Sequence, residues 1–224
     1  MRKIQFANGE YYHIYNRGVD KRAVFNNNND YERFFKSMKE FNVVEPIGSI
    51  YERSFSRSQF GSLASKLASG SVGLVKFICY CLNPNHYHFL VQQVADDGIK
   101  KFMHRIGTGY TKYFNEKYER NGSLFQGSYK IVHIDSNEYL LHLSAYINLN
   151  DKVHFSQHQL GSLASKLDFK SSWNEYVENI IAGLCDKKVI LQQFRNNLEY
   201  KKFAQEALEL IQERKEIEDF LLLE

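Results

Sequence analysis

The sequence predicts an α+β fold: a ferredoxin-like antiparallel sheet with helices on one or both faces, followed by a C-terminal helical extension. Three observations support this prediction. Segments typical of strands and of helices are mixed along the chain, short turns join strands as in hairpins, and the residues after Trp173 are polar and helical in pattern. Hairpin connections favour this arrangement over a doubly wound parallel sheet, whose strands need long crossovers.

Four segments have the composition of strands. The first is Glu10–Asn16, rich in aromatic and β-branched residues, and the second is the buried run Leu74–Leu82. The turn Asn83-Pro84-Asn85 then leads into a third strand from His86 to about Gln93, so the second and third strands are predicted to form a hairpin. A fourth strand is predicted from Ser123 to Ile134.

Three segments before the extension have helical spacing. Asp30 is a plausible N-cap for a helix over Tyr31–Phe41, and apolar residues at helical spacing predict a long helix from Asp97 to about Arg120. Ser136 begins a capped segment that predicts a helix over residues 136–150.

These elements suggest one main domain over residues 1–155 with a loop insertion at about 45–72, a linker over 156–172 and an extension over 173–224. The seven residues Gly61–Leu67 recur as Gly161–Leu167. Two copies are too few for a solenoid, and their small polar residues suit surface loops.

The repeated segment also permits a hypothesis about its origin. Residues 64–69 can be encoded by DNA that equals its own reverse complement, so the copies could be translated from a mobile palindromic repeat. The alternative is ordinary duplication of a loop sequence. The codons of the gene decide between the two.

Composition excludes several classes of protein. With 43% hydrophobic and 25% charged residues and no apolar run near the roughly 18 residues of a membrane span, the chain is predicted to be globular and without membrane contact. The N-terminus lacks a signal-peptide pattern, and the three cysteines, Cys79, Cys81 and Cys185, lack zinc-finger spacing. Buried thiols in a reducing cytoplasm are therefore expected.

The net charge of +3 is too small to indicate nucleic acid binding by itself. The 15 tyrosines and 17 phenylalanines are more suggestive, because aromatic rings stack on unpaired bases with about 1–3 kcal/mol per base. A role in the hydrophobic core explains most of them equally well.

Two histidines provide a candidate metal site. His86 and His88 are two apart on a predicted strand, so both imidazoles project from one face while Tyr87 points to the other. Taken alone, such a pair is more often structural than metal-binding.

Tyr146 is the candidate nucleophile. On the predicted helix it lies one turn before Asn150, which offers an amide oxygen. A phenol with a pKa near 10 attacks a phosphodiester poorly unless a cation is close, and a metal on the two histidines would supply one. Tyr110, Tyr113 and Tyr139 compete for this role, and a core aromatic is the alternative for each of the four tyrosines.

Four blocks of the sequence, in this order, resemble the REP-associated tyrosine transposases, which are single-tyrosine HUH transposases. They are Tyr12–Gly18, Cys81–Val91, Asn121–Tyr129 and Tyr146–Asn150. The resemblance runs from about Phe6 to Val153 and is interrupted by the insertion.

The resemblance implies an HUH catalytic domain in which His86 and His88 bind Mg²⁺ or Mn²⁺ and Tyr146 is the nucleophile. Asn150 falls on a helix position that is sometimes a further metal ligand. The implied reaction cleaves and rejoins single-stranded DNA beside hairpin repeats through a 5′-phosphotyrosine, without a nucleotide cofactor. The family usually has proline after that helix position, whereas this chain has Asp151.

Basic residues near these segments are candidate phosphate contacts, although a solvated charged face explains each one singly. They are Arg17, Lys21, Arg22, Lys101, Arg105, Lys112, Lys117, Arg120 and Lys130.

Two other functions stay open at this stage. One is a hairpin-binding DNA or RNA protein of the same fold without turnover, and the other is a metal-dependent hydrolase, for which the sequence offers no evident carboxylate base. We expect a nucleoid-associated cytoplasmic protein, either monomeric or homodimeric.

Overall fold

The computed structural model describes residues 5–48, 50, 73–153, 170–178 and 183–221. Within these residues five strands form one sheet in the order β4-β1-β3-β2-β5, and every neighbouring pair is antiparallel. The strands are β1 (Tyr11–Arg17), β2 (Val75–Asn83), β3 (His86–Gln93), β4 (Lys130–Ile134) and the two-residue β5 (Lys170–Ser171).

The helices alternate with the first four strands as a ferredoxin-like fold requires. One helix lies between β1 and β2 in the chain and a second between β3 and β4, which confirms the predicted fold class. The helices are α1 (Asn28–Glu40), α2 (Gly98–Lys117), α3 (Asn137–Asn148), α4 (Asn150–Val153), α5 (Trp173–Val177), α6 (Lys188–Leu191) and α7 (Asn197–Leu221), and a 3₁₀ turn covers Val19–Lys21.

The sheet separates two hydrophobic cores because successive strand residues point to opposite faces. On one face, α1 and α2 pack over residues of β1 and β3 such as Ile14, Tyr87 and Phe89. Tyr87 is buried in this core, so its predicted direction, away from the two histidines, is confirmed.

The second core lies on the opposite face, where α3 packs against the sheet and α7 packs against α3. Leu143 and Ile147 of α3 share this core with Tyr176 of α5 and Tyr200 of α7. The extension is therefore part of the layer that contains Tyr146, and the sheet carries helices on both faces.

Several boundaries differ from the sequence prediction. The strand predicted from Ser123 begins only at Lys130, because Gly122 and Gly127 take positive φ angles and residues 123–129 form a loop. The helix predicted over 136–150 ends at Asn148, and Asn150 begins α4 instead.

The start of the first helix also differs. Its N-cap is Asn27, whose side chain accepts a hydrogen bond from the backbone N–H of Asp30. Asp30 in turn accepts one from the backbone N–H of Asn26, so the two side chains satisfy donors of the first turn together.

Most of the insertion at about 45–72, both seven-residue repeats and most of the 156–172 linker lie outside the described residues. Among the helices that are described, none combines the length and the apolar character that crossing a membrane would need.

Candidate active site

The two histidines and the candidate tyrosine meet at one end of the sheet. His86 and His88 project from the same face of β3, with ring centres 5.2 Å apart and ring planes nearly perpendicular. Tyr146 reaches this end from α3, and its ring centre lies 5.7 Å from that of His88. All three side chains line one cavity of about 310 Å³.

His88 is oriented by a histidine on the neighbouring strand. Nδ1 of His88 lies 2.9 Å from Nε2 of the buried His13, and Tyr15 stacks on the His88 ring at 5.6 Å. Burial lowers the pKa of His13 to about 4, so its ring is neutral at neutral pH. A neutral His13 can accept the Nδ1–H of His88, and that tautomer keeps the Nε2 lone pair of His88 for a cation.

His86 is held by asparagines on two sides. Its Nδ1 lies 2.6 Å from Oδ1 of Asn85, and its Nε2 lies 3.3 Å from Oδ1 of Asn150 and 2.9 Å from Nδ2 of Asn83. The Asn85 and Asn150 oxygens can only accept, and the shorter contact to Asn85, together with the Asn83 amide as a donor towards Nε2, favours the proton of the neutral ring on Nδ1. Nε2 of His86 is then an acceptor, as a metal ligand must be.

Tyr146 is half-buried beside this group. Burial raises the pKa of its phenol, and an interaction with the Asn150 side chain partly offsets the rise. The one donor of the Asn150 side chain is Nδ2, so this interaction directs Nδ2 towards the phenol oxygen, although the buried Nδ2 makes no hydrogen bond of ordinary geometry among the described residues.

The donor atoms fit a small divalent cation. Bonds of about 2.1 Å at right angles place neighbouring ligand atoms about 3 Å apart, close to the 3.3 Å between Nε2 of His86 and Oδ1 of Asn150. The described residues contain no group of three or more His, Cys, Asp or Glu side chains that could hold a metal. A cation here would therefore depend on amide, water or substrate oxygens in addition to the imidazoles.

The competing tyrosines occupy other positions. Tyr110 is fully buried and donates to the carbonyl of Val24 at 2.7 Å, while Tyr113 donates to Asp30 at 3.0 Å. Tyr139 is 39% exposed near the start of α3. Of the four tyrosines, Tyr146 is the one that shares the histidine cavity.

The candidate phosphate contacts fall into two groups. Arg17 and Lys130 line the histidine cavity, and the exposed Lys21 lies beside it, because its carbonyl accepts a hydrogen bond from Asn85. Arg22 pairs with Asp20 on the same exposed turn.

Most of the remaining candidates have partners within the protein. Arg105 donates to the carbonyls of Phe41, Val43 and Val44, and Lys117 pairs with the buried Asp30. The other two, Lys101 and Arg120, contact the Asp96 carbonyl and the Phe114 ring respectively. Of the five candidates on or next to α2, Lys112 lines an open groove.

This groove, with a volume of about 940 Å³, runs between α2 and the loop over residues 122–129. Asn16 and Tyr87 line both the groove and the histidine cavity, so the two spaces adjoin at the end of the sheet. Lys100, His104 and Lys112 lie along its α2 wall, and none of its lining residues is acidic. The α2 wall therefore carries basic side chains, of which Lys100 is also paired with the exposed Asp97.

Sequence reasoning missed several of these residues. His13 and Asn83 contact the candidate ligands directly, and Gln126 contributes to the cavity wall. A signal existed for His13, because the antiparallel register pairs Tyr15 with His88 and so brings the same-face residue His13 diagonally next to it. No comparable signal existed for Gln126, which lies on a loop that was predicted to be a strand.

Comparisons with known proteins show similarities in sequence and in fold. Residues 59–150 match the family model described as transposase IS200 like. A solved structure of a REP-associated tyrosine transposase bound to a REP hairpin is 12% identical, with 82% of this chain and 88% of that chain covered and a TM-score of 0.50. At that identity the likeness shows the fold, and no curated protein matched the chain. Residues 59–150 are therefore similar in sequence to the IS200-like transposases, and the described fold is similar to that of the solved transposase.

Proposed function

We propose that this protein cleaves and rejoins single-stranded DNA beside hairpin repeats, with Tyr146 as the nucleophile and His86, His88 and Asn150 as ligands of Mg²⁺ or Mn²⁺. One observation carries the proposal: the Tyr146 ring lies 5.7 Å from that of His88 in a cavity that His86 also lines. Arg17 and Lys130 add two cationic side chains to the wall of the same cavity. A phenol, metal-ligand donors and cations around one space suit attack on a phosphodiester.

The bonds and protons of the proposed step balance, so the reaction needs no cofactor to donate or accept a chemical group. The Tyr146 oxygen bonds to phosphorus, the bond from phosphorus to the 3′ oxygen breaks, and the proton lost by the phenol is matched by one gained at the 3′ hydroxyl. The product is a 5′-phosphotyrosine, and the reverse step joins a 3′ hydroxyl to it. A bound divalent cation would offset the charge of the phosphate and favour the ionised phenol.

The adjoining groove supplies a path for the strand. DNA whose phosphate lies in the histidine cavity can continue past Asn16 and Tyr87 into the groove, where Lys112 and His104 face it. From Lys100 to Lys112 the α2 wall is about 18 Å long at about 1.5 Å per residue, enough for several nucleotides. We infer that unpaired nucleotides next to the cleaved bond lie there. The hairpin partner is inferred from the solved relative, which is bound to a REP hairpin.

A second candidate function is binding of hairpin nucleic acid without turnover. It is favoured by the pKa of Tyr146, which burial raises, because a phenol that stays protonated is a poor nucleophile unless a cation is present. The binder and the enzyme share the cavity and the groove, so binding measurements do not separate them. Formation of a covalent bond does.

The deciding experiment mixes the protein and Mn²⁺ with labelled single-stranded DNA from the flanks of its own gene, chosen to form hairpins with unpaired tails. We expect an adduct that survives SDS in the wild type and in the control Tyr139→Phe, and none in Tyr146→Phe. An adduct that persists in Tyr146→Phe would assign the nucleophile elsewhere. Tight hairpin binding with no adduct, for every flanking sequence tried, would favour the binder.

A further inference from the structure

Asn83, at the end of β2, lies against both candidate metal ligands on its side of the cavity. It is paired with His86 in the β2–β3 register and is 1% exposed. Its Nδ2 donates to Oδ1 of Asn150 at 2.7 Å and lies 2.9 Å from Nε2 of His86. With the 3.3 Å between those two acceptors, the three atoms form a compact triangle.

The size of this triangle is that of one face of an octahedral cation site. Six ligand atoms about 2.1 Å from Mg²⁺ lie about 3 Å from their neighbours, and the three sides here are 2.7, 2.9 and 3.3 Å. Two of the three atoms are acceptors, as ligands must be. The third is the amide nitrogen of Asn83, which bridges both acceptors with its two hydrogens as a cation would bridge them with its charge.

A half-turn of the Asn83 carboxamide exchanges its nitrogen and oxygen at nearly the same positions. The other end of the group faces the buried Cys81, whose Sγ lies 3.7 Å from Oδ1 of Asn83. A thiol is a weak donor and also a weak acceptor, so it can face either end of the carboxamide. The turned amide therefore keeps a suitable neighbour at the Cys81 end, while at the other end its oxygen would need a bound cation between it and the two acceptors.

We propose that Asn83 is a third protein ligand of the cation: without metal its amide bridges His86 and Asn150, and with metal the carboxamide turns so that Oδ1 completes their donor set. This inference rests on the proposed function, because that function assigns His86, His88 and Asn150 as residues that would hold the cation. Asn85 supports it independently, since its Oδ1 holds the proton of His86 on Nδ1 and leaves Nε2 facing Asn83.

Substitutions of Asn83 separate a ligand from a simple support. If Oδ1 binds the cation, Asn83→Asp supplies a charged oxygen at the same place and tightens Mn²⁺ binding, whereas Asn83→Leu weakens it at least about tenfold. If Asn83 only positions His86 and Asn150 through its N–H groups, both variants lose that donor and both weaken Mn²⁺ binding. Asn121→Asp, on an exposed loop, controls for the added negative charge.

The test is calorimetric titration of the full-length protein with Mn²⁺ in the absence of DNA, after unfolding curves confirm that each variant is folded. Tighter binding by Asn83→Asp with weaker binding by Asn83→Leu supports the proposal. Weaker binding by both, or unchanged binding by Asn83→Leu, overturns it.

Two further results separate this inference from the proposed function. If Asn83→Asp does not fold, unchanged Mn²⁺ affinity in Asn83→Leu still overturns the proposal, because it excludes a ligand at this position. If the wild type forms the Tyr146 adduct while Asn83→Leu binds Mn²⁺ normally, the ligand assignment fails and the proposed function stands. If the wild type binds no Mn²⁺, both fail.

Discussion

Oη of Tyr200, on the C-terminal helix α7, accepts a hydrogen bond of 2.8 Å from Nδ2 of Asn148, two residues after the candidate nucleophile. The same hydroxyl lies 3.2 Å from Oγ of the buried Ser144. Oδ1 of Asn148 accepts from Ser172, whose Oγ accepts from the backbone N–H of Tyr80 in β2. A chain of buried hydrogen bonds thus joins the extension, the tyrosine-bearing helix and the sheet.

We predict that Tyr200→Phe lowers the free energy of unfolding by about 1–3 kcal/mol, because the amide of Asn148 is left without its partner. Adduct formation by Tyr146 should slow at temperatures where the variant is fully folded, since α3 loses the buried hydrogen bonds that Asn148 and Ser144 make with Tyr200. Urea unfolding and single-turnover adduct rates measure the two effects, with the exposed Tyr139→Phe as control. A normal adduct rate in a destabilised Tyr200→Phe would limit the network to stability.

A second prediction concerns the histidine behind the candidate ligand. His13→Leu removes the group 2.9 Å from Nδ1 of His88, so the His88 ring loses the contact that fixes its orientation and tautomer. Partners of this kind usually change metal affinity by about 10–100-fold, and we expect Mn²⁺ binding to weaken within that range. Calorimetric titration measures it. The control His133→Leu replaces an exposed histidine of β4 that pairs with Glu10 outside the cavity, and a loss of equal size there would contradict a specific role for His13.

The fold class and the directions of the β3 side chains could be predicted from the sequence, because successive residues of a strand point to opposite faces of the sheet. The register of β1, β3 and β4 keeps residues of one face together across the sheet. The positions of His86, His88 and Tyr87 followed directly from this alternation of strand residues. The contact of Tyr146 with this group required the docking of α3 on the sheet, which no local pattern specifies. It was expected through the resemblance to a family.

Other parts of the site depend on contacts between distant residues. The sequence suggests Arg105 and Lys117 as phosphate contacts. In the fold, Arg105 donates to the carbonyls of Val43 and Val44, and Lys117 pairs with the buried Asp30. The sequence predicts Asn83 only as a turn residue. Its hydrogen bond to Asn150 forms because the fold brings these distant residues together. The predicted start of β4 at Ser123 was wrong, because aromatic and apolar residues of the loop, such as Phe125, are buried without forming a strand.

A third prediction uses a glycine in the wall of the groove. A Cβ added at Gly107 would have no heavy atom of another segment within 4 Å, whereas at Gly109 it would meet the Phe41 ring at 2.9 Å. Gly107→Ala should therefore be tolerated and, as a helix-interior change, should stabilise the protein by about 1 kcal/mol. Gly107→Glu places a carboxylate in the groove, and we expect it to weaken binding of a hairpin with an unpaired tail by at least about tenfold.

Fluorescence anisotropy with tailed and blunt hairpins of the same stem measures this effect. The blunt hairpin should bind Gly107→Glu as it binds Gly107→Ala, because only the tail is expected to enter the groove.

Lys112→Gln should reduce the slope of log affinity against log salt by about 0.7, the contribution of one phosphate of a single strand. Lys36→Gln, an exposed lysine of α1 outside the groove, is the matched control, and equal slopes for the two variants would exclude Lys112 from the path of the strand.

The last prediction concerns Asp30, a fully buried carboxylate that accepts hydrogen bonds from Lys117 at 2.7 Å and Tyr118 at 2.7 Å. Burial raises its pKa, but the bonds from Lys117, Tyr118, the Asn26 backbone and Tyr113 outweigh burial and hold the pKa below its usual value. A carboxyl whose pKa is lower in the folded protein stabilises it above the unfolded pKa, and that stability is lost as pH falls through the folded pKa.

Asp30→Asn should therefore lower the free energy of unfolding by about 3 kcal/mol at neutral pH, because Lys117 loses its charged partner. The difference from wild type should shrink as pH falls below about 4, where the Asp30 carboxyl of the unfolded wild type begins to take up a proton while the folded carboxylate still resists it. Urea unfolding across this range measures it. Asp20→Asn, whose pair with Arg22 is exposed, should change stability by less than about 1 kcal/mol. A deficit in Asp30→Asn that stays constant down to about pH 3 would mean that shape and hydrogen bonding, rather than charge, make Asp30 stabilising.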